Sequence, residues 1–302
     1  MTQDKINPRL SAHSWILLIL LSLLWGGSFL FIKIAVAEIP PATVAALRVS
    51  LAALGLLIVM RATGIPLPRG RVVWLGLLLL GLVNNTLPFF LINWGQQHID
   101  IGLGGILNGM TPLFTVLLVP LLGGDERLTP MRLGGVLCGL VGLAVLVGPE
   151  AFTGLGEHVW SELAVVGGAL GYAFGAIIAR RFTDLPPVSL AVGQLAGAAL
   201  FSVPLALVLD APWTLRPGPA ALASVVTLAL ACSALAYMLF FRVLKDAGTT
   251  NASLVTLLVP VSATALGVLF LGERPGLEML AGFALIAFGV LLVDGRLGFG
   301  RR

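Results

Sequence analysis

The chain has 302 residues, of which 58% are hydrophobic and only 11% charged, with a mean hydropathy of +1.03. Soluble domains carry about 25% charged residues, so an ordinary soluble fold is excluded. The formal net charge is +4, and its distribution along the chain, taken up below, accounts for it without a nucleic-acid partner.

Apolar runs of roughly 20 residues, long enough to cross a hydrocarbon core of about 30 Å, recur throughout. Ten are expected, near 14–36, 41–60, 72–93, 101–122, 131–148, 160–179, 187–209, 219–241, 248–271 and 277–293. The connections are short, which leaves no room for an inserted soluble domain and predicts an all-α integral membrane bundle in contact with the lipid bilayer. The first run is too long for a signal h-region and no small-residue cleavage site follows it, so it is expected to be retained.

In the first span, Ser22, Trp25, Phe29 and Lys33 follow the spacing of a single helical face. The second span holds Arg48. Lys33 and Arg48 are the two cations inside apolar runs, where an ionisable group is costly enough to suggest function. Each lies near the outer end of its helix. The alternatives are snorkelling to the interface or a charge at the cavity mouth, with Arg48 contacting an anion or pairing with Glu38.

The third span contains VNNTLPFFLINW, residues 83–94, which sets Asn84 and Asn85 just before Pro88. A proline removes the hydrogen bond to the carbonyl four residues earlier, so Pro88 is expected to open the carbonyl of Asn84. The same spacing relates Pro112 to Asn108 in the fourth span and Pro260 to Thr256 in the ninth. In lipid such openings are tolerated where protein or a water-filled cavity satisfies them. The alternative is a kink whose polar side chains bond only to neighbouring helices. Recurrence in three helices favours a cavity.

Further candidate lining residues are Phe89, Thr111 and Tyr172, Gln194 in the seventh span, and Ser233 and Tyr237 in the eighth; Thr115, Thr249, Ser253 and Thr264 extend the polar faces of the fourth and ninth. Trp15, Trp74, Trp94, Trp160 and Trp213 stand at span ends, as an aromatic belt requires, whereas Trp25 is central. Gly135, Gly139 and Gly142 in the fifth span and Gly282 and Gly289 in the tenth suit close helix contact, within one chain or between two.

The basic residues set an orientation. With the N-terminus in the cytoplasm, fourteen Lys and Arg fall on the cytoplasmic side, and only Arg216 and Arg274 fall outside. That asymmetry places both termini in the cytoplasm. All 14 acidic residues lie in loops or near helix ends, so no midplane carboxylate is available to carry a proton. Cys138 and Cys232 are expected to act as small apolar packers, and the three histidines form no ligand cluster. No metal site, cofactor motif, phosphate loop or nucleophile–base pair is present.

The chain also repeats itself. PPATVAALRVSLAA, from Pro40, matches PPVSLAVGQLAGAA, from Pro186, 146 positions on, which sets Arg48 against Gln194. NGMTPLFTVLLVPLLGGDER matches TLLVPVSATALGVLFLGER, with Pro260 lying 148 positions after Pro112. Two repeats of five helices are therefore expected, residues 1–150 and 151–302. Five being odd, the second is inverted, and inverted repeats place a substrate site between the halves near the midplane.

WGGSFLFIKIA, PPATVAALRVSLAAL and PVSATALGVLFLGERP, together with the looser GGDERLTP, resemble the drug/metabolite transporter superfamily, in particular its EamA-type exporters. The resemblance implies a basket of ten helices in two inverted repeats around a central cavity, in a bacterial inner membrane. It also implies export of small metabolites, most plausibly amino acids with aromatic or other apolar side chains, by alternating access without ATP. A broad drug or metabolite carrier is the alternative within the superfamily; an integral-membrane enzyme or a structural subunit lacks support in the residues. Oligomeric state is not legible.

Overall fold

The structure is a computed structural model of the chain, described for residues 10–262 and 277–294 apart from 96, 100, 123–127, 153 and 154. Among the described residues every regular element is helical. Helix α1 (Ala12–Val36) starts at Ser11, whose hydroxyl accepts from the Ser14 N–H at 3.0 Å, satisfying one of the donors that a helix start leaves unpaired. Helices α2 (Pro41–Thr63) and α7 (Pro187–Leu209) each begin on a proline, which has no N–H to strand and a backbone angle suited to the first turn. Gly64 ends α2 with a φ of 68°, a left-handed turn that glycine adopts without strain.

The remaining helices are α3 (Arg71–Gly95), α4 in two pieces (Ile101–Asn108 and Thr111–Leu121), α5 (Pro130–Val147), α6 (Val159–Arg180), α8 (Pro219–Ala247), α9 (Thr249–Ser262) and α10 (Leu277–Asp294). Among the described residues seven helices are long and apolar enough to cross a membrane, while α5, α9 and α10 contribute shorter apolar stretches. The described part of α9 ends at Ser262, inside the expected ninth span, and that of α10 begins at Leu277. Helix α8 also continues past its expected end at 241. Arg180 donates to the carbonyls of Leu244 and Lys245 at 2.9 and 3.1 Å, satisfying groups that a helix end leaves open. Thr264 and the GDER and LGER segments lie outside the described residues.

Two helices widen in mid-course. A π-helical turn occupies Leu82–Thr86 in α3, and another occupies Leu230–Leu235 in α8. The second begins 148 positions after the first, the separation already seen between Pro112 and Pro260. Helix α2 packs against α7 and α5 against α10, while α1 lies along α8 as α3 lies along α6.

Contacts between the halves are close where glycine allows it. A Cβ on Gly289 would lie 2.5 Å from the Gly135 carbonyl, and one on Gly282 would lie 2.7 Å from the Leu146 backbone. The glycines of α5 and α10 therefore serve contact within the chain. At the start of α2, Thr43 donates from its backbone N–H and its hydroxyl to Asp210 Oδ2, at 2.6 and 2.8 Å. At the start of α7 the corresponding Ser189, 146 positions later, donates to the Pro66 carbonyl at 2.9 Å. The buried core includes Leu18, Leu21, Leu56, Leu77, Leu190 and Phe241. The outer surface is apolar too, with Ile58, Val72, Val208 and Trp160 exposed, as expected of a protein that faces lipid.

Candidate functional site

A cavity opens between the halves, with about 930 Å³ of empty space, its open part included. It is lined from α1 by Trp25, Ser28 and Ile32, from α2 by Arg48, and from α3 by Asn84, Phe89, Ile92 and Asn93. The two pieces of α4 supply Asn108 and Thr111, α6 supplies Tyr172 and Ala176, α8 supplies Tyr237 and Phe240, and α9 supplies Ser253, Val255, Thr256 and Val259. Trp25, Arg48, Asn84, Phe89, Asn108, Thr111, Tyr172, Tyr237 and Thr256, all singled out in the sequence, are thus brought to one cavity.

Others are seated behind its wall. Ser22 is buried and shares a 2.6 Å hydrogen bond with Ser262. Asn85 and Gln194 are both 0% exposed; Gln194 Nε2 donates to Asn85 Oδ1 at 2.5 Å, and Asn85 Nδ2 donates to Tyr237 Oη at 2.7 Å. Ser233 is likewise fully buried and accepts from Arg48 Nε at 2.6 Å. These four are corrections to the expected lining, and the reason is shared: each is held by a hydrogen bond to a side chain of a neighbouring helix. The side chains of Phe29 and Lys33 lie outside the described residues, although the α1 backbone there is described.

The three prolines stand in different local settings. In α3 the widened turn precedes Pro88, and the Leu87 N–H reaches back to Leu82. Pro112 opens no carbonyl inside a continuous helix. The fourth helix breaks after Asn108, the second piece starts at Thr111, and the Thr111 hydroxyl donates to the Asn108 carbonyl at 2.8 Å. Pro260 sits within α9, where the Thr256 hydroxyl donates to the Ser253 carbonyl at 2.9 Å.

Arg48 neither snorkels nor pairs with Glu38. It is 8% exposed, and Glu38 Oε2 instead accepts from the Gly218 N–H at 2.6 Å. Besides Ser233, its guanidinium donates from Nη2 to the Cys232 carbonyl at 3.2 Å, and its Cζ stands 4.3 Å from the centre of the Phe89 ring, within cation–π range. Trp25 Nε1 donates to the same Cys232 carbonyl at 3.2 Å. The Trp25 ring meets Tyr237 and Phe240 with centroids 6.1 and 5.7 Å apart. The cavity wall therefore sets a buried cation beside aromatic rings. Asn108 Oδ1 is buried with no hydrogen-bond partner, an acceptor left for a ligand.

The residues missed in the sequence are mostly apolar wall or near neighbours of those found. Phe240 follows Tyr237 by three positions and Ser28 follows Trp25 by three, so extending each helical face would have reached them. Asn93 lies near the end of α3, where an amide reads equally well as a terminus group.

The sequence matches the EamA-like transporter family twice, over residues 13–148 and 159–294. A protein of Streptantibioticus cattleyicolor named "Probable terminal-alkyne amino-acid exporter" is 28% identical over 296 residues, covering 97% of each chain. The "Uncharacterized inner membrane transporter YedA" of Escherichia coli K12 is 26% identical, covering 90% of this chain and 88% of its own. A solved structure at 22% identity superposes with a TM-score of 0.79, covering 96% of this chain and all of that one, a likeness of fold.

Proposed function

Because the chain belongs to the EamA-like transporter family, a family of integral membrane transporters rather than enzymes, we propose that it exports amino acids with aromatic or other apolar side chains. The carrier works by alternating access of two inverted five-helix halves, residues 1–150 and 151–302, forming ten spans in a bacterial inner membrane with both termini cytoplasmic. No ATP is consumed. The observation that carries this reading is the cavity itself, which is lined by a buried guanidinium, three amides and several aromatic rings. Polar groups of this kind orient a ligand while the apolar wall takes its side chain.

The amino-acid exporter of S. cattleyicolor supports the substrate class, and the matching pair of π-helical turns supports the two related halves. The test is uptake by purified protein in liposomes across a panel of labelled amino acids, nucleosides and sugars. Phenylalanine, tryptophan and leucine are expected to be carried. Transport of nucleosides or hydrophobic drugs with no amino acid carried would replace this reading with that of a broad metabolite or drug carrier.

A further inference from the structure

A guanidinium has five N–H donors in one plane, and the surroundings of Arg48 divide them unequally. The edge that carries Nε is spent on α8, with Nε donating to Ser233 Oγ at 2.6 Å and one Nη2 hydrogen to the Cys232 carbonyl at 3.2 Å. One broad face rests on Phe89, 4.3 Å from the ring centre. The end formed by Nη1 and the second Nη2 hydrogen has no acceptor among the described residues.

The acceptors on α8 exist because the helix widens there. The Ala236 N–H, which in a regular helix would pair with the Cys232 carbonyl, bonds to the Ala231 and Ser233 carbonyls instead, and the Cys232 carbonyl receives Arg48 and Trp25. The guanidinium is thereby held in a fixed orientation, with two parallel donors free at its end. That fork matches the two oxygens of a carboxylate.

For an ammonium the lining offers no anion among the described residues. Among the described residues the cavity is lined by no Asp or Glu, and its unpaired acceptor, Asn108 Oδ1, is neutral. A buried cation is stabilised by an anion, whereas a ligand cation beside Arg48 is repelled.

We infer that the cavity selects its substrates by a carboxylate received end-on by Arg48 and that the amino group is dispensable. The substrate class is then apolar or aryl monocarboxylates, of which amino acids are one part. This rests on reading the cavity as the transport site. Ser233 is a positioning residue, acting on the ligand through Arg48.

Binding of three probes with the same ring and chain, L-phenylalanine, 3-phenylpropionate and 2-phenylethylamine, to the intact protein in lipid nanodiscs tests it by calorimetry. The two carboxylates are expected to bind within about tenfold of each other, and the amine on the order of 100-fold more weakly, the range associated with losing hydrogen bonds to a charged group. Arg48→Lys keeps the charge and loses the fork, and should weaken both carboxylates by at least about tenfold. Ser233→Ala should weaken them in parallel, and Ser233→Thr, which keeps the hydroxyl, should restore them. Amine binding as tight as that of phenylalanine, failure of phenylpropionate to bind, or unchanged affinities in Arg48→Lys would overturn the inference. Phenylpropionate binding to a protein that carries no amino acid in liposomes would remove the amino-acid reading and leave this one standing. Phenylalanine uptake together with tight amine binding would do the reverse.

Discussion

Asn85 and Tyr237, 152 residues apart in the chain, are joined by a 2.7 Å hydrogen bond from Asn85 Nδ2 to Tyr237 Oη. It ties the widened turn of α3 to the segment just after the widened turn of α8, and Gln194 of α7 completes the link by donating to Asn85 Oδ1. Three helices from the two halves thus meet in one buried polar chain directly behind the cavity wall.

Asn85→Leu strands both neighbours at once. A buried group left without its partner costs about 1–3 kcal/mol, so the variant is expected to melt several degrees lower in detergent. Adding Gln194→Leu removes one stranded group, and the double variant should lose less than the sum of the two single losses. Strictly additive melting shifts would show that the two amides are not coupled.

A second expectation concerns the close contacts of α5 and α10. Gly289→Ala would place a methyl 2.5 Å from the Gly135 carbonyl and 2.6 Å from the Gly139 nitrogen, both backbone atoms that cannot move aside without separating the helices. A Cβ on Gly134, by contrast, meets nothing within 4 Å. Gly289→Ala should therefore be strongly destabilised or fail to accumulate in the membrane. Gly134→Ala should stay within about 0.5 kcal/mol of the parent. Yield and melting temperature of the two proteins decide the matter.

The parts of the fold legible in the sequence are those that depend on hydropathy and period: the apolar runs, the half-length repeat, and one cavity with polar residues from several helices. What could not be read is the phase of a helix after a π-turn. One extra residue in the turn rotates everything beyond it by about 100° relative to regular helical counting. Asn84 and Asn85 both looked like lining residues, but neighbours on a helix point about 100° apart, and the first faces the cavity while the second meets Tyr237. Ser233 and Tyr237 both looked like lining residues, yet Ser233 holds Arg48 from behind. Arg48 itself was visible as a cation in an apolar run, but its fate depended on α8, a helix remote in sequence.

Trp25 gives the third expectation. Its indole anchors to the Cys232 carbonyl and its ring forms an edge of the aromatic wall, so Trp25→Ala opens the wall and releases one of the groups around Arg48. Transport should fall to background while the protein still inserts. Trp213 is 72% exposed, and Trp213→Ala should transport normally. If the two variants transport equally well in vesicles, Trp25 has no part in the site.

Orientation is tested by single cysteines in a background lacking Cys138 and Cys232. Arg69, Arg181 and Glu157 are all exposed, so accessibility depends on the side of the membrane alone. Cysteines at 69 and 181 should be protected from an impermeant thiol reagent added outside intact cells, and one at 157 should react. The opposite pattern would invert the protein and the direction of transport with it.

The last expectation concerns energy. A proton-coupled carrier needs a group that gains and loses a proton as the cavity changes sides, and an acid or histidine in the cavity is the usual means. Among the described residues none lines it. Two ionisable groups away from the lining have contacts of their own: Glu38 accepts from the Gly218 N–H that precedes α8, and His98 lies between Trp94 and His158, with ring centroids 5.6 and 6.0 Å away. A third, Asp100, lies outside the described residues. Transport is therefore expected to follow the substrate's own gradient, by facilitated diffusion or exchange. In liposomes loaded to equal substrate concentration on both sides, an imposed pH gradient should produce no net movement of labelled phenylalanine. Accumulation above the equilibrium level that requires the gradient and disappears with a protonophore would establish proton coupling, and Glu38→Gln and His98→Gln would then identify which of the two groups carries the proton.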